Sequence, residues 1–141
     1  MMKKRITVID GQGGKMGAAL IARITELGAD ADVYAVGTNA AATAAMAKGA
    51  AGAATGEGAV KYAARRSNVI VGPVGIVIAD SLLGEITPEM AAAVGQSDAV
   101  KILIPVNRCG AKIVGAKSLS FGDTIEEAAR EAIKALENKE N

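Results

Sequence analysis

Apolar residues recur along this chain in two alternating rhythms. Short, nearly continuous runs (Ile6 to Ile9, Val33 to Val36, Val69 to Val71, Ala99 to Val106) read as strands, and the one at Val69 to Val71 is of the buried type. Between them the apolar positions fall three and four apart. Met16, Leu20, Ile21, Ile24 and Leu27 share one helical face, closed by Gly28. An Ala-rich helix spans Ala40 to Lys48 before Gly49, and Ala50 to Ala54 is a short strand of small residues. Thr55-Gly56-Glu57-Gly58 turns into a helix carrying Val60, Tyr62, Ala63 and Ala64, which ends near Arg65-Arg66-Ser67. Thr87-Pro88-Glu89 starts another helix, with a cap, an early Pro and an early acid, and Gly95 ends it. In the last segment Thr124-x-x-Glu127 reads as a capping box before the stripe Ile125, Ala128, Ala129, Ala132, Ile133 and Leu136. Glu137 to Asn141 is polar and is expected to fray.

Strand and helix patterns in alternation predict one three-layer α/β domain, Rossmann-like, with a mainly parallel sheet. Two stretches depart from that rhythm. Ala99 to Val106 is followed by Asn107-Arg108-Cys109-Gly110 and then Ala111 to Gly115, too soon for a parallel neighbour, so an antiparallel edge hairpin is expected. Ile76 to Leu83 is almost wholly apolar except for Asp80 and Ser81, which suggests a buried helix or an interface; in so small a protein we expect a homodimer contact there, with Asp80 requiring a partner or a cleft.

The first strand runs directly into Gly11-Gln12-Gly13-Gly14-Lys15-Met16-Gly17. Glycines leave no Cβ between backbone and ligand, and the following helix start offers unpaired N–H groups and a positive dipole end. Such a turn suits a phosphate. The strict G-x-G-x-x-G spacing fails, since it would place Gln12 in the first position. Gly11, Gly13 and Gly17 make one looser spacing; Gly11, Gly14 and Gly17 make another, which resembles the cofactor loop of dihydrodipicolinate reductase, with Lys15 where Arg is common. That resemblance implies NAD or NADP. Asp10 departs from it, because an acid there lies close to where phosphates would sit. In a doubly wound fold the tip of the second strand (Gly37, Thr38, Asn39) and the loop Gly72, Pro73, Val74 and Gly75 face the same crevice. The second tip has no acid for a ribose, and Thr38 and Asn39 read first as helix caps. Asn107 and Arg108 are further candidate ligand contacts. Without His to assist it, Cys109 has little to activate it as a nucleophile.

Composition narrows the classes. Of 141 residues half are apolar, but only Tyr34, Tyr62 and Phe121 are aromatic, and the net charge is +1. Neither a basic footprint nor stacking platforms for nucleic acid are present. With no His and a single Cys, the chain lacks the commonest general base and cannot pair cysteines within itself. No apolar run reaches the ~18 residues of a spanning helix, and the start resembles no signal peptide, so we expect a cytoplasmic protein without membrane contact.

The segments Ile9 to Gly14, Ala35 to Asn39, Ala54 to Glu57, Ile70 to Ala79 and Ile102 to Cys109 are similar to a family of small bacterial proteins known only as a domain of unknown function. That resemblance implies a complete protein rather than a piece of a dehydrogenase. The leading expectation is a small-molecule nucleotide held at Asp10 to Gly17, Gly37 to Asn39 and Gly72 to Gly75. An oxidoreductase completed by a dimer partner and a non-catalytic homo-oligomer with purely structural glycines are the alternatives.

Overall fold

The computed structural model describes residues 3–106 and 110–138. Five strands, β1 (Arg5–Asp10), β2 (Asp32–Gly37), β3 (Gly52–Thr55), β4 (Val69–Pro73) and β5 (Val100–Ile104), form one sheet in the order β3-β2-β1-β4-β5. Every pairing is parallel, with Asp10 level with Gly37, Gly37 level with Thr55 and Val8 level with Val71. Helices α1 (Lys15–Glu26), α2 (Ala40–Ala47), α3 (Glu57–Arg66), α4 (Pro88–Gln96) and α5 (Phe121–Asn138) cover its two faces.

Strand alternation divides the core in two. Ile6 and Val8 of β1, Val33 and Ala35 of β2, and Val69 and Val71 of β4 join α1, α2 and α5 on one face. Ile9, Val36 and Ile70 point the other way, to α3, α4, Ile76 and Ile86. Central β1 is almost wholly buried, whereas edge strand β3, made of Gly52, Ala53, Ala54 and Thr55, stays largely exposed. Arg23 and Glu126 pair at 2.6 Å between α1 and α5.

Local signals set most element ends. Gly28 takes φ 77° and donates to the Thr25 carbonyl, stopping α1. Asn39 caps α2 through Ala42 N–H at 2.8 Å, and Thr87 caps α4 through Met90 N–H at 3.1 Å. The cap of α5 lies elsewhere than expected. Thr124 is inside the helix, and Ser120 is the residue whose hydroxyl accepts from the N–H of Asp123 at 3.1 Å.

One larger expectation is overturned, and one of two alternatives is removed. Among the described residues no antiparallel hairpin follows β5, and 110–120 hold no strand. The reason is where α5 must begin. Phe121 lies at the same end of the sheet as the start of α1, its ring 5.4 Å from the Lys15 ammonium, so a returning strand would leave the chain at the wrong end to start α5. Of the two readings of Ile76 to Leu83, the buried helix is not formed. A single 3-10 turn (Val74–Val77) leads into tight turns in which Asp80, Leu82 and Leu83 all adopt positive φ. Ile76 is fully buried within its own chain, while Leu83 stands 98% exposed and Asp80 lies at the surface.

Replacing Ser120 by Ala should cost about 1 kcal/mol in urea unfolding, whereas Glu127→Ala should stay within ~0.5 kcal/mol. The reverse ranking would put the cap at Thr124.

Candidate functional site

Parallel pairing brings the C-terminal ends of β1, β2 and β4 to one edge, and the chain changes winding direction between β1 and β4. The glycine loop lies there. Gly14 N–H closes the turn on the Gly11 carbonyl at 3.0 Å, with Gln12 at φ 50° and Gly14 at φ 73°.

Asp10 shapes this turn from within. Its Oδ1 accepts from Gly11 N–H at 2.8 Å and its Oδ2 from Gly17 N–H at 2.7 Å. Gly14, at the helix start, has no side chain to cap α1, so the strand residue does it. Burial pushes the Asp10 pKa above its ordinary value and the nearby Glu85 charge pushes it further, against the pull of the two N–H bonds.

The glycines of the loop differ in what they serve. A Cβ on Gly14 would lie 2.6 Å from the Ala42 carbonyl oxygen, and one on Gly17 would strike Met46 and the Asp10 side chain. A Cβ on Gly37 would strike Thr43, and one on Gly72 the Ile9 carbonyl. These positions are glycine because helices and strands approach closely. Gly13 is different: a Cβ there meets nothing within 4 Å, and its φ is not positive. The fold makes no demand for glycine at that position.

Glu85 was not anticipated from the sequence, yet it joins the elements of the site. Its Oε1 accepts from Gln12 N–H at 2.9 Å, from the Thr38 hydroxyl at 2.6 Å and from the Asn39 amide at 3.2 Å. The same amide reaches Oε2 at 3.2 Å and donates to the Gln12 carbonyl at 3.0 Å. Asn39 thus caps α2 with its oxygen and binds the loop with its nitrogen, while Thr38 serves Glu85 and not the helix. Burial raises the Glu85 pKa, but the three donors outweigh it and hold the carboxyl below its ordinary value. The strained turns present it: Asp80 N–H bonds the Ile86 carbonyl at 2.7 Å, Ser81 bonds the Gly75 carbonyl, and buried Ile86 anchors the far side. A signal existed in the sequence, an isolated acid behind Gly84 just before the Thr87 cap, on a connection leaving the same sheet edge as the glycine loop.

Of the other expected site residues, Lys15 is exposed and Met16 packs partly against the first core cluster. Pro73, Val74 and Gly75 are buried, and the groups that reach the loop from that side are Glu85 and Leu82. Asn107 and Arg108, with Cys109, lie outside the described residues. A shallow groove of about 610 Å³ lined by Lys61, Arg65, Ser67 and Ser97 lies between α3 and α4 instead, away from the loop. Among the described residues no helix is long and apolar enough to cross a membrane.

Residues 5–137 match the model of a family described as a domain of unknown function (DUF3842). The chain belongs to that family. No curated protein matches this DUF3842 chain, dihydrodipicolinate reductase included. Among solved structures it is similar to a dodecameric FMN-dependent Ubix-like decarboxylase from Escherichia coli O157:H7, at 16% identity and a TM-score of 0.47, over 95% of this chain and 75% of that one. Likeness at that level says nothing of cofactor or activity.

The two carboxyls impose opposite pH dependences. A lowered folded pKa means that the stabilisation from Glu85 is full above its ordinary value of 4.5 and is lost as pH falls through the folded value. Asp10, with its raised pKa, contributes most below 3.8 and less as pH rises through its folded value. The stability gap between wild type and Glu85→Gln, followed by urea unfolding, should therefore be widest near neutrality and close below pH 4.5. A gap independent of pH would show that the Glu85 charge is not held by these donors.

Proposed function

We propose that this protein binds a nucleotide at the C-terminal edge of β1 and β2, its phosphate lying against the N–H groups of Gly13, Lys15 and Met16. Gly13 is the observation that carries the reading. The other loop glycines are explained by packing or turn geometry, but this one has open space and an ordinary φ. A glycine the fold does not need leaves bare backbone for a ligand to approach. None of the three N–H groups donates to another described residue, and they open at the positive end of α1. Asp10 already takes the N–H groups of Gly11 and Gly17, which leaves these outer donors for the ligand. NAD and NADP remain the dinucleotides to try first, with AMP, ATP and coenzyme A beside them.

The test is a thermal shift with each ligand on wild type and on Gly13→Val. At 100 times its dissociation constant a ligand stabilises by ~2.7 kcal/mol, several degrees for a chain of this size. Gly13→Val should fold normally and lose the shift. Gly14→Ala is the contrasting variant: its positive φ and the Ala42 carbonyl make it lower the melting temperature without any ligand. Absence of any shift in the wild type would leave the glycines as packing devices alone.

A homodimer is a second reading, favoured by one exposed apolar stretch. Val114 is 98% exposed, and Ile113, Leu119 and Phe121 are between 39% and 46% exposed. Covering such a strip removes it from water. Light scattering should give twice the chain mass, and Val114→Asp should return the monomer; a monomeric wild type rejects the dimer.

A further inference from the structure

We propose that Glu85 recognises the sugar of the bound nucleotide, so that the site selects a ribose with free hydroxyls over one carrying a 2′-phosphate. This rests on the nucleotide reading above and names the residue that decides between ligands.

Doubly wound nucleotide sites take the ribose hydroxyls on an acid at the tip of the second strand. Here that tip is Gly37-Thr38-Asn39, which has no acid. A carboxylate nonetheless stands at the tip, delivered by the turns after β4. It lies 2.6 Å from the Thr38 hydroxyl and within 3.2 Å of the Asn39 amide, over the Cβ-less face of Gly11, where a Cβ would come to 2.7 Å from Oε1.

The carboxylate is held by one oxygen and available at the other. Three donors converge on Oε1, and among the described residues only the Asn39 amide reaches Oε2. An ionised carboxylate has about four acceptor positions, so Oε2 retains capacity for the hydrogens of a diol. The side chain is half-buried, and Gly13, next in sequence to the Gln12 that donates to it, is exposed. A 2′-phosphate would instead bring a second anion against a carboxylate already fixed in place.

Calorimetric titration of the wild type with AMP, 2′-deoxy-AMP and adenosine 2′,5′-bisphosphate tests this. AMP should bind roughly tenfold tighter than 2′-deoxy-AMP, the loss expected for hydrogen bonds to a charged group, and the bisphosphate should bind weakest. In Glu85→Gln the AMP affinity should fall by a similar factor, and its advantage over the other two should disappear. Equal binding of AMP and 2′-deoxy-AMP to the wild type overturns the assignment. So does tighter AMP binding by Glu85→Gln, which would make the carboxylate an internal occupant that ligand must expel. The wild-type comparison needs no variant, so it decides the matter even if Glu85→Gln fails to fold. If no nucleotide binds the wild type, the nucleotide reading itself fails; if Gly13→Val binds all three unchanged, the phosphate placement fails; in either case this assignment falls with it.

Discussion

The buried carboxylate of Asp10 holds the glycine-loop edge of the sheet together. It stands at the end of the central strand and accepts the N–H groups of Gly11 and Gly17, so one side chain ties strand end, turn and first helical turn together. A helix start normally leaves its first N–H groups to a capping side chain or to water. Gly14 occupies the cap position in a left-handed conformation and has no side chain to offer. The raised pKa of Asp10 records what burial costs its charge.

Close approach completes the framework. Gly14 lets α1 lie against the backbone of α2, Gly17 makes room for Met46, and Gly72 lets β4 pass the Ile9 carbonyl. With those contacts made, the chain can place three non-glycine residues in left-handed conformations in the turns after β4 and still hold Glu85 across the loop. Left-handed conformations for Leu82 and Leu83 are unfavourable locally and persist only where surrounding contacts over-determine them. Here the ladder from Asp80 to Ile86 and the buried Ile86 side chain do so.

Much of the fold was legible because its signals are local. Strand burial on two faces, the 3.6-residue stripe of α5, Gly28 after α1 and Thr87-Pro88 before α4 each act over a few residues. The glycine loop was legible as a turn, and the structure then divided its glycines by purpose. Reading failed where distant parts compete. Thr124-x-x-Glu127 looks like a cap until the helix is seen to begin a turn earlier on Ser120. Ala111 to Gly115 looks like a hairpin strand until α5 is seen to start at the same end of the sheet. Ile76 to Leu83 reads equally as a buried helix until the turns after the 3-10 segment are seen, with Ile76 in the second core cluster.

Apolar spacing by itself determined the layers, the parallel sheet and the position of the glycine turn, since periodicity decides which face each residue buries and parallel strands put their loops at one edge. Tertiary structure alone decided which groups meet at that edge. Thr38 and Asn39 are 47 and 46 positions from Glu85, and Gln12 is 73 away. Hydrogen bonds across such separations exist only once the sheet order has brought β1, β2 and the turns after β4 together, so the isolated acid behind Gly84 is visible in the sequence but the groups it meets are not.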